Sequence, residues 1–454
     1  MIRRSGWLAA AFLTSLLGAQ GQTIRISCPR FEQDSHQRYA CIEALLSQDN
    51  YHFTLASLPP GNGLAPGLVI THTLKPDNQE LDLSVIGGVS VTNGSTLEQG
   101  DILWTLPYSS HDTSTSPLDL QSAAHKNWDA MSFHLQGAHE AVHTVYFYGY
   151  GPGSADEQFV YGENDVWGKG IVRVPISRRI VLTGEIGLRA TTLPSDSDTN
   201  SVDLNFPAAI LPGEMQQPLF AISRAGAESR VEHEFGHPLP DVRDAGSPIQ
   251  YFSNWDWDNN ATFAWYHDTD SAALSFRQFT FDGEEKGLLY GRVAVKSYDP
   301  KKHPLLYYAL CQGESHKHTE FCNALLVDVH TRLILSDVGS ASAIPFYLQP
   351  TLGGSDFGNT VTLRGWPDYR FRANDSSLTQ LDLNAVLRDP FGIDVFYDAG
   401  TVGNSAGDLS IGNWRQDAGV GLTVRLQGSI VAQSYWAWGA GHGANWGYNF
   451  AKTF

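Results

Sequence analysis

Basic residues are scarce in this chain: 30 lysines and arginines stand against 48 aspartates and glutamates among 454 residues, a formal charge of -18. That balance argues against nucleic acid as a partner, which would need a basic face. Methionine is almost missing, with three residues of which Met215 is the last. Beyond the N-terminus no run approaches the roughly 20 consecutive apolar residues of a membrane-spanning helix. Any membrane crossing by the rest of the chain must therefore be made by a closed barrel of strands, the other structure that satisfies its backbone in lipid. Cysteine is limited to four, and none follows the N-terminal apolar stretch at the spacing of a lipid-anchored cysteine.

That stretch, Trp7 to Leu17, follows Arg3 and Arg4 and ends at Leu17-Gly18-Ala19. Charge, apolar run and small residues in that order read as a secretory signal peptide over 1–19. Residues 20–50 then read as a short periplasmic segment, in which Tyr39, Ile42, Leu45 and Leu46 have the spacing of a short N-terminal helix. In an exported chain the close pairs Cys28 with Cys41 and Cys311 with Cys322 suggest two local disulfides. A zinc site competes for the second pair, because His316 and His318 lie between its cysteines.

What the chain has in quantity is glycine, 44 residues, and aromatics: 12 Trp, 18 Tyr and 22 Phe. At the C-terminus Trp446, Tyr448, Phe450, Lys452 and Phe454 alternate with small or polar residues. A strand so patterned places large rings on one face and a wet surface on the other, as lipid and lumen require. An edge strand of a soluble sandwich would share the pattern of this one segment. Similar alternation recurs, with Leu381, Leu383, Ala385 and Leu387 opposite Gln380, Asp382 and Asn384, and Val420, Leu422, Val424 and Leu426 opposite Gly419, Gly421, Thr423 and Arg425. Five strands after residue 376 and eleven between 66 and 336, counting 272–282 and 287–297 separately, predict an all-β fold. It is a transmembrane antiparallel β-barrel of about 16 strands occupying residues 51–454. Polar stretches at 107–127, 192–218 and 236–259 read as its outside loops.

Residues 344–372 contain Gln349-Pro350-Thr351-Leu352-Gly353-Gly354-Ser355-Asp356, then Arg364-Gly365-Trp366 and Asp368-Tyr369-Arg370-Phe371-Arg372, and further on stand Phe396, Asp398 and Gly400. Here the chain resembles the BamA/TamA superfamily of outer-membrane barrels, the bacterial surface antigen family, most strongly over 344–454. The resemblance implies a sixth outside loop folded into the lumen, with its Arg-Gly-aromatic tip against a Phe-x-Asp-x-Gly motif on the thirteenth strand. Phe396, Asp398 and Gly400 share strand parity, so a lumen-facing Asp398 would meet Arg364 in a charge-assisted bond. Tyr448, Phe450 and Phe454 correspond to the terminal-strand signal. Fainter likeness covers Pro59-Pro60-Gly61-Asn62-Gly63 and the run Tyr146 to Gly151. Departures are the insert Phe357-Gly358-Asn359, Lys452 in place of an apolar residue, and too few residues before the first strand for a periplasmic POTRA repeat.

His233-Glu234-Phe235-Gly236-His237 matches the zinc-protease pattern His-Glu-x-x-His. The chemistry needs both histidines on one face of a helix, yet Pro238 follows at once and no later methionine offers the turn of that clan. The expectation is therefore a non-enzymatic barrel in the bacterial outer membrane, with no cofactor. Outer-membrane lipid and lipopolysaccharide would be its surroundings, and periplasmic or secreted client proteins its partners in assembly, translocation or envelope biogenesis. A transport pore or surface-interaction barrel is the alternative, and a zinc hydrolase at His233, Glu234 and His237 the remote one.

Overall fold

The structure is a computed structural model that describes residues 51–454 apart from 75–78, 107–129, 155, 178, 195–199, 207–217, 235–253, 294–320, 340–341, 359, 389–390, 427–428, 440–442 and 451–454. The signal peptide, the N-terminal helix, Cys28, Cys41, Cys311, His316, His318, His237 and Phe454 lie outside the described residues, and of Cys322 and Phe450 only the strand backbone is described.

Successive side chains of a strand point to opposite faces. Along 391–398 the exposed residues are Phe391, Ile393, Val395 and Tyr397, and the buried ones are Gly392, Asp394, Phe396 and Asp398. Apolar side chains outside and charged ones inside invert the order of a soluble sandwich and match a wall between lipid and a polar lumen. Exposed Leu182, Ile186 and Leu188 on one strand and Trp436 and Trp438 on another carry the same outward apolar face around the sheet.

In chain order the strands are β1 (Tyr51–Ser57), β2 (Leu64–Leu74), β3 (Glu80–Val89), β4 (Thr96–Thr105), β5 (Ser132–Phe147), β6 (Phe159–Ser177), β7 (Ile180–Thr192), β8 (Leu219–Glu234) and β9 (Asn254–Asp268). There follow β10 (Phe276–Val293), β11 (Phe321–Val338), β12 (Thr351–Leu352), β13 (Phe371–Arg372), β14 (Asp375–Arg388), β15 (Phe391–Gly403), β16 (Arg415–Leu426), β17 (Ser429–Gly439) and β18 (Gly443–Phe450). All but β12 and β13 form one 16-stranded sheet in which each strand neighbours the next in sequence. The pairings are antiparallel throughout, as between β14 and β15 or β17 and β18. β12 and β13 pair with each other in the connection between β11 and β14. That connection touches Tyr161 on β6 through Arg372 and Asp398 on β15 through Arg364. Strands so distant in sheet order can meet one segment only if the sheet curls around it, so the fold is a barrel with this segment inside.

The count of sixteen agrees with the sequence pattern, but two of its members differ. β1 was not anticipated, and 272–282 with 287–297 are not two strands: Phe276–Val293 is one, β10. Its middle, Asp282-Gly283-Glu284-Glu285-Lys286-Gly287, has the composition of a turn because a lumen wall tolerates charge. Gly283 sits where a Cβ would lie 2.9 Å from Asn259 Oδ1. The loop assignment also needs correction. Strict antiparallel order sends the β4–β5 and β8–β9 connections from one rim and the β7–β8 and β11–β14 connections from the other. Of the stretches read as outside loops, 107–127, most of 192–218 and 236–253 lie outside the described residues, and residues from Asn254 belong to β9. His233 and Glu234 end β8 as extended backbone opposite Trp255 and Asn254, so the helix that a His-Glu-x-x-His site needs is not formed there.

Candidate functional site

The inserted connection is shaped by residues that accept unusual backbone. Gly353 and Gly354 have φ of 111° and 52°, and a Cβ on either would collide with the Pro367–Arg370 turn. Tyr369, at φ 59°, is the one described non-glycine residue in the left-handed region, and it is buried. Beneath the tip, Leu352, Leu363, Trp366, Phe371, Ala373, Leu378 and Val402 form an apolar cluster.

At the tip, Arg364 donates from Nε and from its backbone N–H to Asp398 Oδ2, at 2.8 and 3.1 Å, and from Nη2 to Asp398 Oδ1 at 2.5 Å. Its Nη1 and Nη2 also donate to the two oxygens of Asp382, at 2.6 and 3.1 Å. The guanidinium lies 3.6 Å from the centre of the Phe396 ring. With Arg364 3% and Asp398 0% exposed, this bidentate pair is dry. Gln380 donates to Asp398 Oδ1 and to the carbonyl of Thr362. Asp394 stands 3.7 Å from the same guanidinium. Close approach is made possible by two glycines. A Cβ on Gly365 would lie 2.6 Å from Gly439 N, and one on Gly400 would lie 2.6 Å from Ser377 O. Trp366 packs edge-on against Phe371 at 5.1 Å.

The other flank of the segment is fastened to the opposite wall. Arg370 donates to Ser154 O at 2.8 Å and Asp156 Oδ1 at 2.7 Å, beside the Tyr148 ring. Arg372 donates to the hydroxyl of Tyr161 at 3.2 Å and to the carbonyl of Phe346, between the rings of Phe147, Tyr161 and Phe346. Arg415 on β16 reaches Pro152 O at 2.7 Å and flanks Trp366 and Phe371. On a third side Arg332 of β11 joins Asp356 of the segment to Asp282 of β10. Asp368 is held by burial at a raised pKa of about 6, against the backbone bond it accepts from Ser355.

Arg364, Gly365, Trp366, Phe396, Asp398 and Gly400 thus lie together around the tip of the segment. Tyr448 faces outward beside Trp446 at 5.7 Å, away from this site. Asp382, Gln380, Arg370 and Arg372 were not assigned roles from sequence. The first two lie on the polar face already visible in the β14 alternation. The two arginines share parity two residues apart, and they land on the aromatic run from Tyr146 to Gly151. Among the described residues no group of three or more His, Cys, Asp or Glu side chains could hold a metal ion. The chemistry present is that of a charge-paired fastening.

No family model and no curated protein matches the chain. Among solved structures it is similar to BamA from Haemophilus ducreyi lacking POTRA domains 1–3, at 13% identity and a TM-score of 0.47 over 88% of this chain and 70% of that one. It is similar also to CdiB from Acinetobacter baumannii, at 10% identity and a TM-score of 0.44 over 88% of this chain and 59% of that one. The architecture described above, sixteen strands with one connection inside the barrel, is the fold that the BamA/TamA resemblance implies.

Proposed function

We propose that this protein is an exported, non-catalytic outer-membrane β-barrel of the BamA/TamA superfamily, acting in outer-membrane protein assembly, translocation or envelope biogenesis. The carrying observation is the lumen fastening of Arg364 to Asp398 and Asp382. A large buried ion-pair cluster costs desolvation and does little for stability that apolar packing would not do, so its value lies in specifying where the loop sits. Lipid and lipopolysaccharide meet the outward apolar face, and periplasmic or secreted client proteins are the partners handled. The test is to delete the gene and quantify outer-membrane barrels and secreted proteins, then complement with wild type or Arg364→Ala. Depletion restored by wild type and not by the variant is expected. Unchanged levels on deletion overturn the assembly role.

A transport pore is the second reading. It is supported by lumen charges that remain part-exposed, Asp282, Glu284, Lys286 and Asp328, with side chains 31 to 33% accessible. Steady conductance in planar bilayers with no effect of deletion on other envelope proteins would favour it.

A further inference from the structure

We infer that His330 is a proton-dependent latch of the inserted segment: with both ring nitrogens protonated it orients Gln380 to grip the segment beside Arg364, and loss of one proton loosens that grip. This latch presupposes the barrel reading above, which sets these side chains in the lumen, and it adds a control that the Arg364 fastening alone does not give. Hydrogen-bond polarity fixes the protons. Gln380 on β14 donates from Nε2 to the carbonyl of Thr362 at 2.8 Å and to Asp398 Oδ1 at 3.2 Å. A carbonyl and an ion-paired carboxylate only accept, so the remaining polar atom of Gln380 is its amide oxygen. That oxygen lies 2.9 Å from His330 Nδ1, which therefore carries a hydrogen. His330 Nε2 lies 2.8 Å from Asp282 Oδ1, and the other oxygen of Asp282 takes the Nε–H of Arg332 at 2.7 Å. A carboxylate so paired accepts, and Nε2 carries a hydrogen as well. The ring is an imidazolium held between β10 and β14.

Deprotonation breaks this polarity at one place. Asp282 keeps the hydrogen on Nε2, and the bare Nδ1 then faces the Gln380 oxygen, acceptor against acceptor. With the amide unmoved, that contact is repulsive. With the amide turned over, its oxygen meets Thr362 O and Asp398, and both bonds to them are lost. Either way the hold on Thr362, two residues from Arg364, is weakened. Charged groups approach the ring from every neighbouring element. Asp328 and Arg332 share its face on β11. On β10 Glu284 stands opposite it, between Asp282 and Lys286, and on β14 Asp382 follows Gln380 on the same face. Asp356 of the segment is joined to it through Arg332 and Asp282, and Asp398 with Arg364 stands behind Gln380. The His330 side chain is 18% accessible, so its proton exchanges with water in the lumen.

Heat-modifiable migration of the full-length protein, followed from pH 5.5 to pH 9 across the titration of histidine, tests this on the wild type, His330→Asn and Gln380→Leu. His330→Asn keeps an amide donor and has no proton to lose. The wild type should have the higher midpoint temperature at pH 5.5, and the gap to His330→Asn should close by pH 9. Groups that titrate in both proteins cancel in that difference. Gln380→Leu should lose the same part of the pH dependence, and adding His330→Asn to it should change little more. A gap that is absent, constant or wider at pH 9 overturns the inference, as does a full wild-type pH dependence in Gln380→Leu. A second measurement needs no variant. Hydrogen exchange of the wild type in nanodiscs, corrected for the intrinsic effect of pH, should show protection over 360–366 falling about tenfold relative to 391–400 between pH 5.5 and pH 9, the factor for one net hydrogen bond. Equal relative protection at both pH values overturns the inference. Failure of the wild type to show heat-modifiable migration would instead overturn the barrel reading beneath it.

Discussion

Arg364 answers to three carboxylates at once, and this makes its partners unequal. Asp398 is dry and takes three of its bonds, whereas the side chain of Asp382 is 26% accessible. Arg364→Ala leaves Asp398, Asp382 and Asp394 facing one another without their cation, while Asp398→Ala leaves Arg364 still bonded to Asp382. We expect Arg364→Ala to be the costlier change, by up to about 3 to 5 kcal/mol for a stranded buried charge, and the double variant to cost less than the sum. Temperature series of heat-modifiable migration on the two singles and the double measure it, and additivity would show that the side chains do not couple. Asp368 supplies a pH dependence. Its native pKa of about 6 lies above the usual 3.8, so between those values the folded chain holds a proton that the unfolded chain has released. Its contribution is full below about pH 4 and declines as pH rises through about 6. Asp368→Asn should therefore stabilise the protein more at pH 7.5 than at pH 4, and an equal effect at both would place the carboxyl in water.

Within single strands the two faces have opposite tolerances. Val395 is 49% exposed on β15, so on a soluble surface Val395→Arg would be nearly neutral. Facing lipid it should cost about 2 to 4 kcal/mol near the bilayer centre. Refolding titrations of the variant into lipid vesicles distinguish the cases, and an unchanged free energy would take that face out of the membrane. This alternation is also what made the elements legible. β14, β15 and β16 keep an unbroken apolar face over 381–387, 391–399 and 420–426, so their course and the lumen position of Phe396 and Asp398 were readable from sequence. β10 was not readable as one strand, because its lumen face carries Asp282, Glu284 and Lys286 around two glycines, a composition shared with turns. The rim from which each connection leaves follows from strand parity and not from length. Arg370 and Arg372 were visible as residues but not as a clasp. Their partners Ser154, Asp156 and Tyr161 lie more than 200 positions away, and no local pattern announces such a contact.

Across the whole molecule the inserted segment is a strut fastened at unequal ends. At β14–β15 the bonds of Arg364 are buried. At the β5–β6 end, Arg372 is enclosed by aromatic rings, but the Asp156 side chain that receives Arg370 is 80% exposed. A pair with one partner in water is worth about 0 to 1 kcal/mol and weakens with salt, whereas the buried end is screened much less. The β5–β6 end should therefore release first, with the segment still held by Arg364. We expect the double change Arg370→Ala with Arg372→Ala to leave a folded, heat-modifiable barrel whose conductance in planar bilayers exceeds that of the wild type. Asp156→Asn should give a smaller increase that vanishes at high salt, where the wild-type pair is already weakened. Equal conductance for the wild type and the double variant would mean that the segment does not obstruct the lumen, and that its two fastenings serve the wall alone.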